Sequence, residues 1–293
     1  AKKVLEFYSQ YVGPYVYEKL ANIQCASVSG GMETSSAIFY AENLVNGKRD
    51  ERTRNVVIHE IAHQWFGNAV TESTWDDIWL SEGFATFFTL LFIEQAYGQE
   101  EYTKGLLKAK KTVFDLAAKM PDHSVVSPRS AEKEEVTTGL TYQKGAWVLH
   151  MLRNMIGETA FQQGIRSYYA RFMNANATTD DFRMEMEQAS GLDLSTFFRQ
   201  WLYQPVNPSL QFAWQYDSKN KKLVVDIEQL QSGTIVFQAP VEIGYFQKGN
   251  KQPVLLKLQL KGKKQRETFP VEAKVERVEF DPGNKLLANV SMK

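Results

Sequence analysis

Pro205-Val-Asn-Pro-Ser-Leu-Gln-Phe-Ala-Trp-Gln-Tyr216 is where the sequence changes its period. Beyond the prolines, Leu210, Phe212, Trp214 and Tyr216 alternate with Gln and Ala, the period-two pattern of a half-buried strand. Polar residues at 217–222 predict a turn. Further strands are expected at 223–230, 235–246, 254–260 and 275–280, with Gly-, Lys- and Asn-rich gaps between them. Short strands at this spacing predict an antiparallel β-sandwich over residues 206–293.

Upstream of Pro205 the apolar residues recur at helical spacing. Leu5, Tyr8, Val12 and Val16 suggest a first helix, interrupted at Gly13-Pro14. Further helices are expected at 56–66, 84–97, 106–120, 140–156, 161–173, 180–189 and 194–203. Ser81 is the expected N-cap of the third and Gly98 its stop. Residues 122–136, with Pro128 and mixed charges, read as a loop. Residues 26–40, rich in Gly, Ser and β-branched side chains, read as a short sheet with an irregular connection. The predicted fold class is therefore α+β: a mainly helical domain over 1–205, then the sandwich.

Composition narrows the function. Lys and Arg number 34, as do Asp and Glu, so neither nucleic acid nor an anionic membrane is called for as a partner. The most apolar window, 84–93, is too short for the roughly 20 residues of a membrane span. The opening Ala1-Lys-Lys-Val-Leu-Glu6 lacks the apolar core of a signal peptide and reads as the start of an amphipathic helix. The chain does not open on Met, as expected of a processed product or a piece of a longer protein. A single cysteine, Cys25, excludes an internal disulfide and is expected to be a small buried residue. This cysteine usage fits a reducing compartment without excluding export, so localisation stays open.

Within the second helical pattern lies His59-Glu60-Ile61-Ala62-His63. One helical turn separates the two histidines, so both imidazoles leave the same face and can share one Zn²⁺ at about 2.0–2.1 Å. Glu60, one step round the helix, suits a base acting on a zinc-bound water. Two ordinary helix histidines are the bland alternative. A catalytic zinc needs a third protein ligand, and Glu82, in the first turn of the next expected helix, can supply it. Its alternative role is to complement the helix dipole. Asp77 is either a partner for a ligating imidazole or a solvated loop acid.

His59-Glu-Ile-Ala-His-Gln-Trp-Phe-Gly-Asn68 and Trp75-Asp-Asp-Ile-Trp-Leu-Ser-Glu-Gly-Phe-Ala85 resemble the signature helices of the aminopeptidase N family of gluzincins. Gly30-Gly-Met-Glu33 resembles that family's Gly-x-Met-Glu-Asn exopeptidase motif. Tyr40-Ala-Glu42 resembles its Tyr-Arg-Glu continuation, and Thr141-Tyr-Gln-Lys-Gly145 its catalytic-tyrosine helix. The four blocks stand in the family's order. The resemblance implies a thermolysin-like domain with one zinc per chain on His59, His63 and Glu82, and Glu60 as general base. It implies that Glu33 binds the free α-ammonium of a peptide substrate, that Gly30, Gly31 and Met32 lie along the substrate backbone, and that Tyr142 donates to the oxyanion. On residues alone, Glu33 is one acid after a Gly-Gly turn, and Tyr142 is one of 13 tyrosines. The expected function is removal of the N-terminal residue of peptides. A zinc endopeptidase and a non-catalytic peptide-binding fragment are the alternatives. Thr34 stands where the family has Asn. The family's large N-terminal β domain and the C-terminal helical domain of some members are not among these residues, so the chain is expected to be either a piece of a longer protein, with a missing N-terminal β domain as its partner, or a minimal member with an altered cleft.

Overall fold

The computed structural model describes residues 1–48, 50–127 and 137–293, so most of the expected 122–136 loop lies outside the described residues. Among those residues, eight α-helices and twelve β-strands form an α+β chain that divides into two compact units, Ala1–Phe198 and Arg199–Lys293. The helices are α1 (Lys2–Tyr11), α2 (Glu51–Ala62), α3 (Trp79–Tyr97), α4 (Gln99–Lys119), α5 (Gly139–Ile156), α6 (Glu158–Phe172), α7 (Thr179–Ser190) and α8 (Ser195–Leu202).

The first unit is built around α3. Trp79 through Ile93 are buried on every face apart from Thr86, which marks a helix enclosed by protein. The apolar window 84–93 is thus the centre of a core helix, and no helix among the described residues is long and apolar enough to cross a membrane. Phe66 packs on Phe84 and Phe88 with ring centroids 4.9 and 4.6 Å apart, and Phe182 of α7 meets Phe84 at 4.9 Å. Such pairs contribute about 0.5–1.5 kcal/mol each beyond their area burial. On the α5 side the contact is between backbones. A Cβ at Gly145 would stand 2.9 Å from Cα of Gly83, so no side chain fits where these two helices cross.

Ser81 does not cap α3. The helix begins at Trp79, and the Ser81 hydroxyl is turned instead toward the histidine that caps the end of α2. Helix α2 begins earlier than its apolar pattern, because the Asp50 carboxylate accepts from Thr53 N at 2.7 Å and caps five polar residues ahead of Val56. Helix α4 likewise starts at once after Gly98, whose φ of +92° turns the chain out of α3.

Three short strands, β1 (Ala21–Cys25), β2 (Gly31–Met32) and β3 (Ala37–Ala41), form a sheet ordered β1-β3-β2. β2 runs antiparallel to β3, with Met32 opposite Phe39, and lies at the sheet edge. Cys25 ends β1 half-buried, its sulfur 3.1 Å from the Ser27 hydroxyl, and is not the core residue expected. β4 (Val70–Glu72) and β5 (Ala175–Ala177) form a separate parallel pair too short to leave a pattern in the sequence.

In the second unit, β6 (Ser209–Asp217), β7 (Lys222–Gln229), β10 (Lys264–Pro270) and β12 (Asn289–Met292) form one sheet, ordered β10-β7-β6-β12. β8 (Ala239–Gln247), β9 (Val254–Leu260) and β11 (Val275–Phe280) form another, ordered β11-β8-β9. The β6–β7 turn is set by Asp217, whose carboxylate accepts from the backbone of Lys219 and Asn220, both at 3.0 Å. Leu210, Phe212, Leu223, Val225 and Ile227 point inward, and the rings of Phe212 and Phe280 meet across the two sheets at 5.4 Å. Trp214 and Tyr216, expected on the same face, are only half-buried.

Candidate metal centre and active site

Helix α2 presents His59 and Glu60 in its last turn, and His63 follows directly as its C-cap. The chain then turns back on itself, with Asn68 N donating to His63 O at 3.0 Å. Gly67 sits in this turn with φ +117°, and a Cβ there would stand 2.4 Å from the Ser81 hydroxyl. Glycine therefore lets α3 press against the end of α2. The result is a fully buried His63 whose Nδ1 donates to Phe66 O at 3.0 Å, with Ser81 Oγ at 3.1 Å from the same nitrogen. A carbonyl can only accept, so it fixes one proton on Nδ1 and leaves Nε2, directed inward, as the nitrogen that can bind a metal once it gives up its own proton.

Three ligand atoms converge there. His59 Nε2 and His63 Nε2 lie 3.1 Å apart, and Glu82 Oε2 lies 3.2 Å from each. A tetrahedral zinc with bonds of about 2.0–2.1 Å needs ligand atoms about 3.3 Å apart. Two imidazoles and a carboxylate at nearly equal separations fit that requirement. In the metal-free chain, burial pulls His63 down, but the hydrogen bond and charge of Glu82, helped by Glu33 and Glu60, outweigh it and push it up to about 9. Glu82 pays its own desolvation, yet the two histidines hold its carboxyl well below the usual carboxylate range.

Glu60 is 6 % exposed, and burial raises its carboxyl against the opposing pull of both histidines. A Cβ on Gly31 would fall 2.2 Å from Glu60 Oε1, so the edge strand β2 can approach the carboxylate only as glycine. Glu33, two residues on, brings its carboxylate into a second group with Glu60 and His63, their nearest ligand atoms all within 4.8 Å of one another. Met32 is 46 % exposed on the same edge strand, and Gly30, at φ +80°, has open space where a side chain would stand.

Tyr142 enters from α5, placed by the Gly83–Gly145 contact. Its hydroxyl donates to Glu82 Oε1 at 2.8 Å, and its ring lies over His59 with centroids 6.0 Å apart. Burial, reinforced by Glu82, raises the phenol, so it stays protonated and able to donate. A pocket of about 300 Å³ opens against His59 and Tyr142, bordered by Val56, Thr86, Leu90 and Ala109.

Asp77 has neither of the roles expected for it. It is buried, and its Oδ1 accepts from Thr179 N at 3.1 Å and Thr179 Oγ1 at 2.5 Å, while Trp79 Nε1 donates to the same hydroxyl at 2.8 Å. It ties the start of α3 to the start of α7. The residues that support the site went unread in the sequence: Ser81 and the Phe66 carbonyl behind His63, and Gln64 and Asn68 behind Glu33. Only their position inside a motif could have signalled them.

The model of the peptidase family M1 domain matches residues 1–201. Mouse glutamyl aminopeptidase is 33 % identical over 83 % of this chain, and a probable aminopeptidase of Sulfurisphaera tokodaii is 30 % identical over 74 %. The chain spans about a quarter of these relatives, 26 % and 29 % of their lengths. A crystal structure of Legionella pneumophila aminopeptidase A in complex with aspartic acid superposes on the whole chain with a TM-score of 0.84 at 18 % identity, covering 34 % of that protein and showing a shared fold. With the family model matched over more than half its length, the chain belongs to peptidase family M1, the aminopeptidase N-like metallopeptidases.

Proposed function

We propose that this chain is the zinc-dependent catalytic part of an aminopeptidase, with residues 1–205 as a thermolysin-like domain and 206–293 as a β-sandwich. The observation that carries the reading is the convergence of His59, His63 and Glu82 at 3.1–3.2 Å, with Glu60 and Glu33 grouped on one side. His59, His63 and Glu82 would hold one Zn²⁺. When bound, the metal supplies a Lewis acid that lowers the pKa of a coordinated water toward about 7 and polarises a carbonyl.

The protein's own residues do the rest. Glu60 takes a proton from the attacking water and delivers it to the leaving amine, and its burial favours that exchange by raising its carboxyl. Tyr142, held protonated, trades its Glu82 acceptor for the oxygen that gains charge at the scissile carbonyl. Glu33 binds the substrate's α-ammonium, and the edge strand at Gly30, Gly31 and Met32 receives the extended peptide backbone. The substrates are peptides with a free N-terminus.

The test compares an aminoacyl arylamide with its N-acetyl derivative. The free amine is cleaved and the acetylated compound is not, because the latter leaves Glu33 without a cation. Equal cleavage of an acetylated peptide would replace this reading by an endopeptidase. Zinc binding without turnover of either would leave a non-catalytic peptide-binding module.

A further inference from the structure

Glu33 lies just beyond a two-residue strand, yet its backbone is held firmly by side chains of the metal-binding segment. Gln64 Nε2 donates to Glu33 O at 3.0 Å, and Asn68 Nδ2 donates to the same carbonyl at 2.6 Å. The other half of the Gln64 amide is also engaged, since Ser36 N donates to Gln64 Oε1 at 3.0 Å. Ser36 has φ +62°, a conformation unusual for serine, so the loop end is fixed at a point where the backbone would otherwise relax. Gln64 is 1 % exposed. The loop is thus pinned at its start by β2–β3 pairing and farther along by Gln64 and Asn68.

Gln64 directly follows the ligand His63 and lies one helical turn beyond the base Glu60. Its amide therefore fixes the distance between Glu60 and the loop that carries Glu33. A buried amide with one donor on Glu33 and its acceptor on Ser36 has a specific demand. Neither an apolar residue nor an acid of the same size meets both contacts.

We propose that Gln64, assisted by Asn68, is the positioning residue that sets how far the Glu33 carboxylate stands from Glu60, and so sets selectivity for a free N-terminus. The inference rests on the aminopeptidase reading above. Gln64 acts through Glu33 and touches neither metal nor substrate.

The experiment uses the zinc-loaded chain and two competing probes, a free amino acid amide and its des-amino analogue. The readout is the ratio of their inhibition constants. Wild type prefers the amine. In Gln64→Leu that preference falls about tenfold, the scale of two hydrogen bonds of ordinary strength, with zinc content unchanged. In a Glu33→Ala background, Gln64→Leu has no further effect on the ratio, because the residue it positions is gone. Asn68→Ala, a milder change at a partly exposed site, shifts the ratio in the same direction and keeps the test open if Gln64→Leu does not fold. An unchanged ratio in a folded Gln64→Leu, or in Asn68→Ala where Gln64→Leu does not fold, overturns the positioning role, as does an equal further loss in the Glu33→Ala background. Wild type with no preference for the amine overturns the aminopeptidase reading itself.

Discussion

The two units of this chain treat buried charge in opposite ways. In Ala1–Phe198, Glu60, His63, Asp77, Glu82, Lys144 and Glu185 are all buried ionisable groups. In Arg199–Lys293 the sole buried acidic or basic side chain among the described residues is Asp281, whose carboxylate accepts from the backbone of Lys285 and Leu286, both at 2.9 Å. The other charges in that unit are at least partly exposed, as in the Arg266–Asp226 pair. Burying a charge is costly unless partners compensate it. The first unit bears that cost at several places, and between the end of α2 and the start of α3 it gathers Glu60, His63 and Glu82 around one point. On the proposed function, the difference is that between a region folded for stability and one that concedes stability to chemistry.

The largest effects are expected where the buried charges act. Glu60→Gln keeps the shape and the metal but cannot take a proton, so kcat falls by roughly 10²-fold or more, measured on an arylamide with zinc content in parallel. Retained turnover would show that this buried acid is structural like Asp281. Tyr142→Phe lowers kcat about 10²-fold with little change in KM, since its hydroxyl acts on charge that exists only in the transition state. A rise in KM at constant kcat would move Tyr142 to substrate binding.

Much of this arrangement was legible in the sequence. His59, Glu60 and His63 sit within one turn of a helix, and local spacing reports that directly. Glu82 was found through its motif and its place in a first helical turn. Ser81 was misread as a cap because α3 is apolar all round and has no polar face to mark its start. β10, Lys264–Pro270, was missed because its first five residues are polar on both faces. Asp77 was misassigned because its partner, Thr179, comes from a distant helix, and no local pattern reports such a contact. Gln64 and Asn68 carry no period of their own; their role appears only once the fold brings Glu33 to them.

Smaller effects test the stability side of the comparison. Gly145→Ala drives a Cβ into the Gly83 backbone and should cost about 1–3 kcal/mol, the range for overpacking, seen as a fall in Tm. Arg266→Ala, at an exposed pair of the second unit, leaves Tm unchanged. Equal losses would erase the contrast between the units.

pH provides the subtlest test. His63 is raised to about 9 in the metal-free chain, above its ordinary 6.5. The stabilisation this represents is fully present below about pH 6.5 and is lost as pH rises through about 9. Metal-free protein should therefore show a Tm that declines across that window. Zinc binding has to displace the same proton, so zinc affinity should weaken about tenfold for each unit that pH falls below 9. A Tm independent of pH would mean that the proton is not held by Glu82.

The most direct measurement is zinc stoichiometry by elemental analysis, on wild type and on the His59→Ala, His63→Ala double variant. The account predicts one zinc per wild-type chain and none in the variant, with the fold of both intact by circular dichroism. A wild type that binds no zinc, or a double variant that keeps its full complement, would contradict it.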